Sequence, residues 1–273
     1  MIPLPRLQAR RRRNPQKRTV FKLAQIGVSV LFLMACSRLT AVKQMDAARL
    51  AEAQRVVEHL QATNQSLKSF KGTGTISLRQ NGVLTFDQRV AWAGAEPVSL
   101  SIVLLVSGFP AARIASDGSW LYYVDNQDPK KTYRKIRSDD PSLRRIIAIP
   151  INSSDVITLL CGRAPLRPHD AVVLEPDPAG DGFVLVLKRW WGIVEKVYLD
   201  PGQSMVRQVE VFQRTGSLAY RAVFEKMQWV SDYQVPQKLA LSDDDGVYCQ
   251  LVIDRYWADV EVSPSMFVLP APE

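Results

Sequence analysis

From Asn64 almost to the C-terminus, apolar and polar residues alternate with a period of two, and this constrains the fold of the 273-residue chain more than any other feature. Successive side chains of a strand point to opposite faces, so the pattern reads as strand after strand with one face reserved for a core. Hairpin signals punctuate it: Asn81-Gly82, Asp117-Gly118, Thr215-Gly216 and Asp245-Gly246 each lie between apolar runs. The spacing predicts strands at 72–80, 83–93, 97–106, 111–116, 119–125, 131–137, 170–175, 182–190, 192–199, 205–213, 217–229, 236–241 and 246–257, a long antiparallel meander.

The alternation also predicts which residues face inward. Val247, Cys249, Leu251 and Ile253 share one face, with Arg255 ending it at the rim. Leu84, Phe86, Val90 and Trp92 share another, as do Val98, Leu100, Ile102 and Leu104, and then Leu218, Tyr220, Ala222 and Phe224. A sheet with so wide an apolar face must curl and must be covered. Two helices are available as cover. Residues 41–62 place Leu50, Ala53, Val57 and Leu60 on one helical face, and Ser154–Cys161 forms a shorter helix with Ser153 or Ser154 as N-cap and Gly162 past its end. The hollow is then either filled by side chains or encloses a cavity for an apolar ligand, and periodicity leaves both open.

The net charge of +8 would suggest a polyanion as partner were it spread along the chain. It is not. Arg6, Arg10, Arg11, Arg12, Arg13, Lys17, Arg18 and Lys22 lie within residues 1–35, which hold no acidic residue; removing those eight from 35 leaves 27 basic against 27 acidic side chains. The remainder is neutral, which excludes a general affinity for nucleic acid. The basic segment runs into an apolar stretch, Leu23 to Met34, too short for the roughly 20 residues a permanent span needs. Residues 1–35 therefore read as a signal peptide and 36–273 as one domain.

Enzyme signatures are missing: there is no G-x-S-x-G, H-E-x-x-H, Walker loop or G-x-G-x-x-G, and no catalytic residue or cofactor is expected. His59 and His169 read as solvated surface histidines. Asp243-Asp244-Asp245-Gly246 fails the calcium-loop register, since the first and twelfth positions would be Leu241 and Val252, so no metal is expected and a hairpin tip accounts for it. Cys161 and Cys249 are expected as buried free thiols; a pair between them would tether the short helix to the sheet. Gly108-Phe109-Pro110 places an aromatic at a loop tip, where it either packs at the rim or enters a membrane.

Leu33-Met34-Ala35-Cys36 resembles the bacterial lipobox. That implies cleavage before Cys36, N-acyl and diacylglycerol groups on it, and, with Ser37 following in place of Asp, the outer membrane, facing the periplasm. The segments Leu67-Lys68-Ser69-Phe70-Lys71-Gly72, Trp92 through Ile102-Val103-Leu104-Leu105-Val106-Ser107-Gly108-Phe109, Ile149-Pro150-Ile151 with Leu159-Leu160-Cys161-Gly162, and Leu239 through Asp254 resemble the LolB-like lipoproteins of the LolA/LolB-like fold. The resemblance implies a mainly β, unclosed and strongly curved antiparallel half-barrel with a helical lid. It implies a monomer whose cavity accepts membrane-lipid or lipoprotein acyl chains from a LolA-like periplasmic carrier, with Phe109, Gly108 and Pro110 as the membrane-inserting loop. On the inward faces the cavity would be lined by Phe86, Trp92, Leu100, Ile102, Leu104, Phe224, Leu251 and Ile253. A structural or sensor lipoprotein of the same fold, binding a partner protein and moving no lipid, is the alternative. The chain departs from the family's Pro-Leu-Gly loop order, and its tail runs on through Phe267-Val268-Leu269-Pro270.

Overall fold

The computed structural model describes residues 47–128 and 132–271. The chain divides into residues 1–49 and 50–273. The signal segment, Cys36 and residues 41–46 of the predicted helix lie outside the described residues. Among those described, no helix is long and apolar enough to cross a membrane.

The strands are β1 (Ser69–Gln80), β2 (Val83–Ala95), β3 (Ser99–Val106), β4 (Phe109–Ser116), β5 (Trp120–Asp125), β6 (Tyr133–Arg137), β7 (Ala171–Pro176), β8 (Phe183–Arg189), β9 (Gly192–Leu199), β10 (Val206–Phe212), β11 (Leu218–Val230), β12 (Tyr233–Ser242) and β13 (Val247–Ala258). They form one antiparallel sheet of order β6-β5-β4-β3-β2-β1-β13-β12-β11-β10-β9-β8-β7. Each of the thirteen predicted strands is present. Turn chemistry sets the register: Asn81 and Gly82 (φ 50° and 83°) and Ser107 and Gly108 (φ 51° and 83°) have the paired positive φ of tight hairpins whose twist matches the strands. The meander is unclosed, with β6 and β7 as free edges, and it has one non-local seam, β1 against β13.

Two bulges correct the expected faces. Leu78 pairs with Phe86 but Arg79 with Leu84, so Thr85 is an extra residue and Leu84 swings outward, 51% exposed. Gly74 pairs with Ile253 but Thr73 with Arg255, so Asp254 is extra; Arg255 does not end the apolar face, because Tyr256 takes the inward place and stacks on Phe70 at 5.6 Å.

Successive hairpins fall at opposite ends of the sheet. The turns after β1, β3, β5, β8, β10 and β12 define an upper rim; those after β2, β4, β7, β9 and β11 a lower one. Helix α1, described over 47–62, closes the lower rim: Ala53, Val56, Val57 and Leu60 are buried, Gln203 Nε2 donates to Glu52 Oε1 (3.2 Å), and Asn64 Nδ2 donates to the carbonyls of Cys161 and Gln234. Leu50, predicted on that face, is exposed, because the seat begins one turn later at Ala53.

The crossover from β6 to β7 covers the concave face with α2 (Arg144–Ile147) and α3 (Ser153–Leu160). α3 starts one residue before the predicted Ser154, with Asn152 at the N-cap position. Neither Ser153 nor Ser154 caps it; the acceptor is the Asp140 carboxylate, which takes the Ser154 N–H (2.8 Å) and hydroxyl (2.6 Å). Gly162 ends it at φ 74°, where a Cβ would lie 2.3 Å from the Gln234 carbonyl oxygen. After β13 the tail turns onto the outer face, held by Ser69 Oγ on the Val260 carbonyl and Tyr133 OH on that of Leu269, with Phe267 buried.

Candidate functional site: an apolar trough under a helical lid

The concave face differs between its two ends. Toward β8–β11 it is filled by the core side chains Leu185, Leu187, Val197, Leu199, Val209 and Tyr220, all buried. Toward β1–β6 it is hollow. A cavity of about 80 Å³ lies among Ile76, Trp92, Ile102, Leu241, Cys249 and Leu251, under Leu143 and Ile147 of the α2 segment and Val156, Leu159 and Leu160 of α3. A second, of about 310 Å³, shares Ile76, Ile102, Leu143, Ile147 and Cys249 with it and adds Leu78, Phe86, Leu104 and Ile146. A third, of about 460 Å³, shares Leu104 and Ile146 with the second and reaches the upper rim at Asp125, Asp128 and Thr132, where Tyr123 and Arg134 also line it. The three adjoin along these shared residues to form a trough, apolar beneath the helices and partly polar where it reaches the rim.

Five residues expected to line a cavity do so: Phe86, Trp92, Ile102, Leu104 and Leu251. Leu100, Phe224 and Ile253 are buried in the core and do not border the trough. The α2 lid was not foreseen, although Leu143, Ile146 and Ile147 carry helical spacing; the four-residue helix is too short to register as periodic. Cys161 and Cys249 are free thiols, both pushed up to about 12 by burial, and Cys249 borders the trough. Phe109 opens β4 on the upper rim, 76% exposed, beside the positive-φ Gly108 and ahead of the half-buried Pro110. His59 is exposed and His169 sits in the β7 approach, its Nδ1 2.9 Å from the Arg167 carbonyl oxygen. Among the described residues no cluster of His, Cys, Asp or Glu could hold a metal.

The lid is anchored on the filled side by a buried polar network. Asp155 of α3 is ion-paired to Arg167 and accepts the Tyr220 hydroxyl (2.9 Å). Glu195 of β9, fully buried, accepts the backbone N–H groups of Leu166 (3.2 Å) and Arg167 (2.6 Å). Its place was legible, since Glu195 alternates with Val197 and Leu199 on the inward face. Burial raises the Asp155 pKa against the opposing pull of Arg167, and burial raises Glu195 to about 7 despite its two N–H donors.

A raised carboxyl pKa means that the folded chain holds the proton longer than the unfolded one. Glu195's contribution is therefore fully present below its ordinary value of 4.5 and is lost as pH rises through about 7, on the order of 3 kcal/mol in all. The stability of the native chain relative to Glu195→Gln, from urea midpoints, is expected to fall as pH rises across that window. A difference independent of pH would show that the carboxylate is ionised throughout.

No protein-family model and no curated protein sequence matches the chain. Solved structures do. A DUF1329 family protein from Desulfovibrio piger superposes with TM-score 0.58 at 8% identity, over 81% of this chain and 97% of that one. A domain described as an outer membrane lipoprotein-sorting protein, from Vibrio parahaemolyticus, gives 0.53 at 13% over 78% and 94%. A LolA superfamily protein from Nitrosomonas europaea gives 0.52 at 13% over 80% and 97%. The unclosed thirteen-stranded meander with its helical lid is thus built on the fold that these LolA-superfamily and lipoprotein-sorting structures share.

Proposed function

We propose that this chain is a LolB-like lipoprotein that takes acyl chains into the trough and passes them to a membrane, with no covalent chemistry. The observation that carries the reading is the row of adjoining cavities beneath α2 and α3, apolar at its inner end and reaching the rim that bears Phe109. Each methylene moved from water into such a space contributes about 0.8 kcal/mol, and a bilayer offers the same environment without walls, so transfer runs downhill. Acylated Cys36 would hold the domain on the outer membrane, facing the periplasm, and Phe109 would touch the acceptor bilayer. A LolA-like carrier is the donor that this arrangement calls for.

The test uses residues 37–273, which contain the whole described core, with a fluorescent acyl probe. Saturable binding is expected, reduced at least about tenfold by Leu104→Glu, which sets a charge where the second and third cavities meet. Absence of binding by folded protein would overturn the proposal and leave a structural or sensor role.

A further inference from the structure

A second exposed aromatic group lies on the upper rim, on the filled side, away from Phe109. At the turn between β8 and β9, Trp190 is 76% exposed and meets Trp191 edge to face at 5.2 Å. Arg214, from the turn between β10 and β11, lies over both rings, 5.6 Å and 5.2 Å from their centroids, and Arg189 lies 4.6 Å from that of Trp191. Arg189 has Asp170 at 3.7 Å; Arg214 has no carboxylate within ion-pair distance among the described residues.

We infer that this Trp-Arg patch is a contact site for a bilayer surface carrying anionic phospholipid headgroups. Indole rings are amphipathic and settle at the boundary between headgroups and acyl chains, and a guanidinium fork matches phosphate oxygens two at a time. Stacking on indole also holds each guanidinium in place before a phosphate arrives. Trp190 and Phe109 occupy the same rim on opposite sides of the seam, with exposed Val83 and Leu84 between them on the β1–β2 tip. The acidic tip Asp243-Asp244-Asp245 also interrupts this rim. Its charge keeps the rim from sinking, so contact is shallow and made at separate points. Two points fix an orientation where one cannot: the trough mouth is presented to the bilayer. That consequence for transfer rests on the function proposed above, whereas the patch's own affinity for lipid does not.

The test measures co-sedimentation of residues 37–273 with sucrose-loaded vesicles of phosphatidylglycerol and of phosphatidylcholine, a reading that does not depend on the tryptophans being replaced. Trp190→Ser with Trp191→Ser is expected to weaken binding to the anionic vesicles at least about tenfold, and Arg214→Gln to weaken it in proportion to the fraction of anionic lipid. Trp229→Ser, at the lower rim, is expected to change neither. Undiminished vesicle affinity in both patch variants would overturn the inference, as would equal weakening by Trp229→Ser. Acyl-probe binding is read on the same samples. Its loss with vesicle contact retained would sink the transfer function and leave the patch; its retention with vesicle contact unchanged by the patch variants would do the reverse.

Discussion

Asp155→Ala is expected to lower stability by about 3–5 kcal/mol, read as a fall in the urea midpoint followed by circular dichroism. The magnitude comes from what the substitution leaves behind. Arg167 is mostly enclosed, and its only ion-pair partner among the described residues is Asp155. Tyr220 is buried and donates its hydroxyl to the same carboxylate. Removing one side chain leaves the buried Tyr220 hydroxyl with no acceptor and the Arg167 guanidinium, 30% exposed, with no carboxylate beside it. Tyr220→Phe removes only the donor and is expected to cost about 1–2 kcal/mol. Comparable losses in the two variants would mean that Arg167 finds another partner when Asp155 is gone.

Gly74→Val is expected to be at least as damaging, about 3 kcal/mol or more, and to break the sheet rather than loosen its lid. A Cβ at position 74 would lie 2.2 Å from the Val252 carbonyl oxygen, a backbone atom of the facing strand that cannot rotate away. The position is the bulge that lets β1 and β13 approach closely, and that pairing alone joins β1–β6 to β7–β13 in the sheet. Gly94→Val makes a useful contrast. Its Cβ would meet the Phe70 ring at 2.3 Å, a buried ring stacked on Tyr256 but not main chain, so its loss is expected to be smaller and to leave the strand pairing intact. Limited proteolysis should separate the cases: Gly74→Val should expose cuts near 243–246 and 81–82, whose strands the seam pairs, whereas Gly94→Val should not.

The strands were readable because a half-buried sheet writes its period into the sequence one residue at a time, as in Leu100, Ile102 and Leu104. The bulges at Thr85 and Asp254 were not, since an inserted residue looks locally like any other and shows only against its partner strand. Leu84 was misread for that reason. Part of the trough's wall was legible as sheet positions, among them Phe86, Trp92 and Leu104, but its roof was not. α2 has four residues, too few to repeat a helical pattern, and the Asp140 acceptor that starts α3 stands well upstream of the helix that it serves. Leu100, Phe224 and Ile253 point inward as the pattern requires. Whether an inward residue meets a cavity or another side chain depends on the curvature around it, which no single strand encodes.

The seam between β1 and β13 also sets an order of events. Every other pairing in the sheet joins neighbours along the chain and can form as soon as its hairpin is made. β1 acquires β2 early but keeps its other edge bare until β13, the last strand of the sheet in chain order, arrives. During that interval the inward face of β1–β6 is an open apolar sheet with an unpaired strand at its border, the kind of surface that captures the wrong partner. Under the export that the proposed location requires, the chain would emerge N-terminal end first and expose that border for as long as its passage lasts. Slower emergence should then cost yield in proportion, and a chaperone that covers an apolar strand edge should restore it.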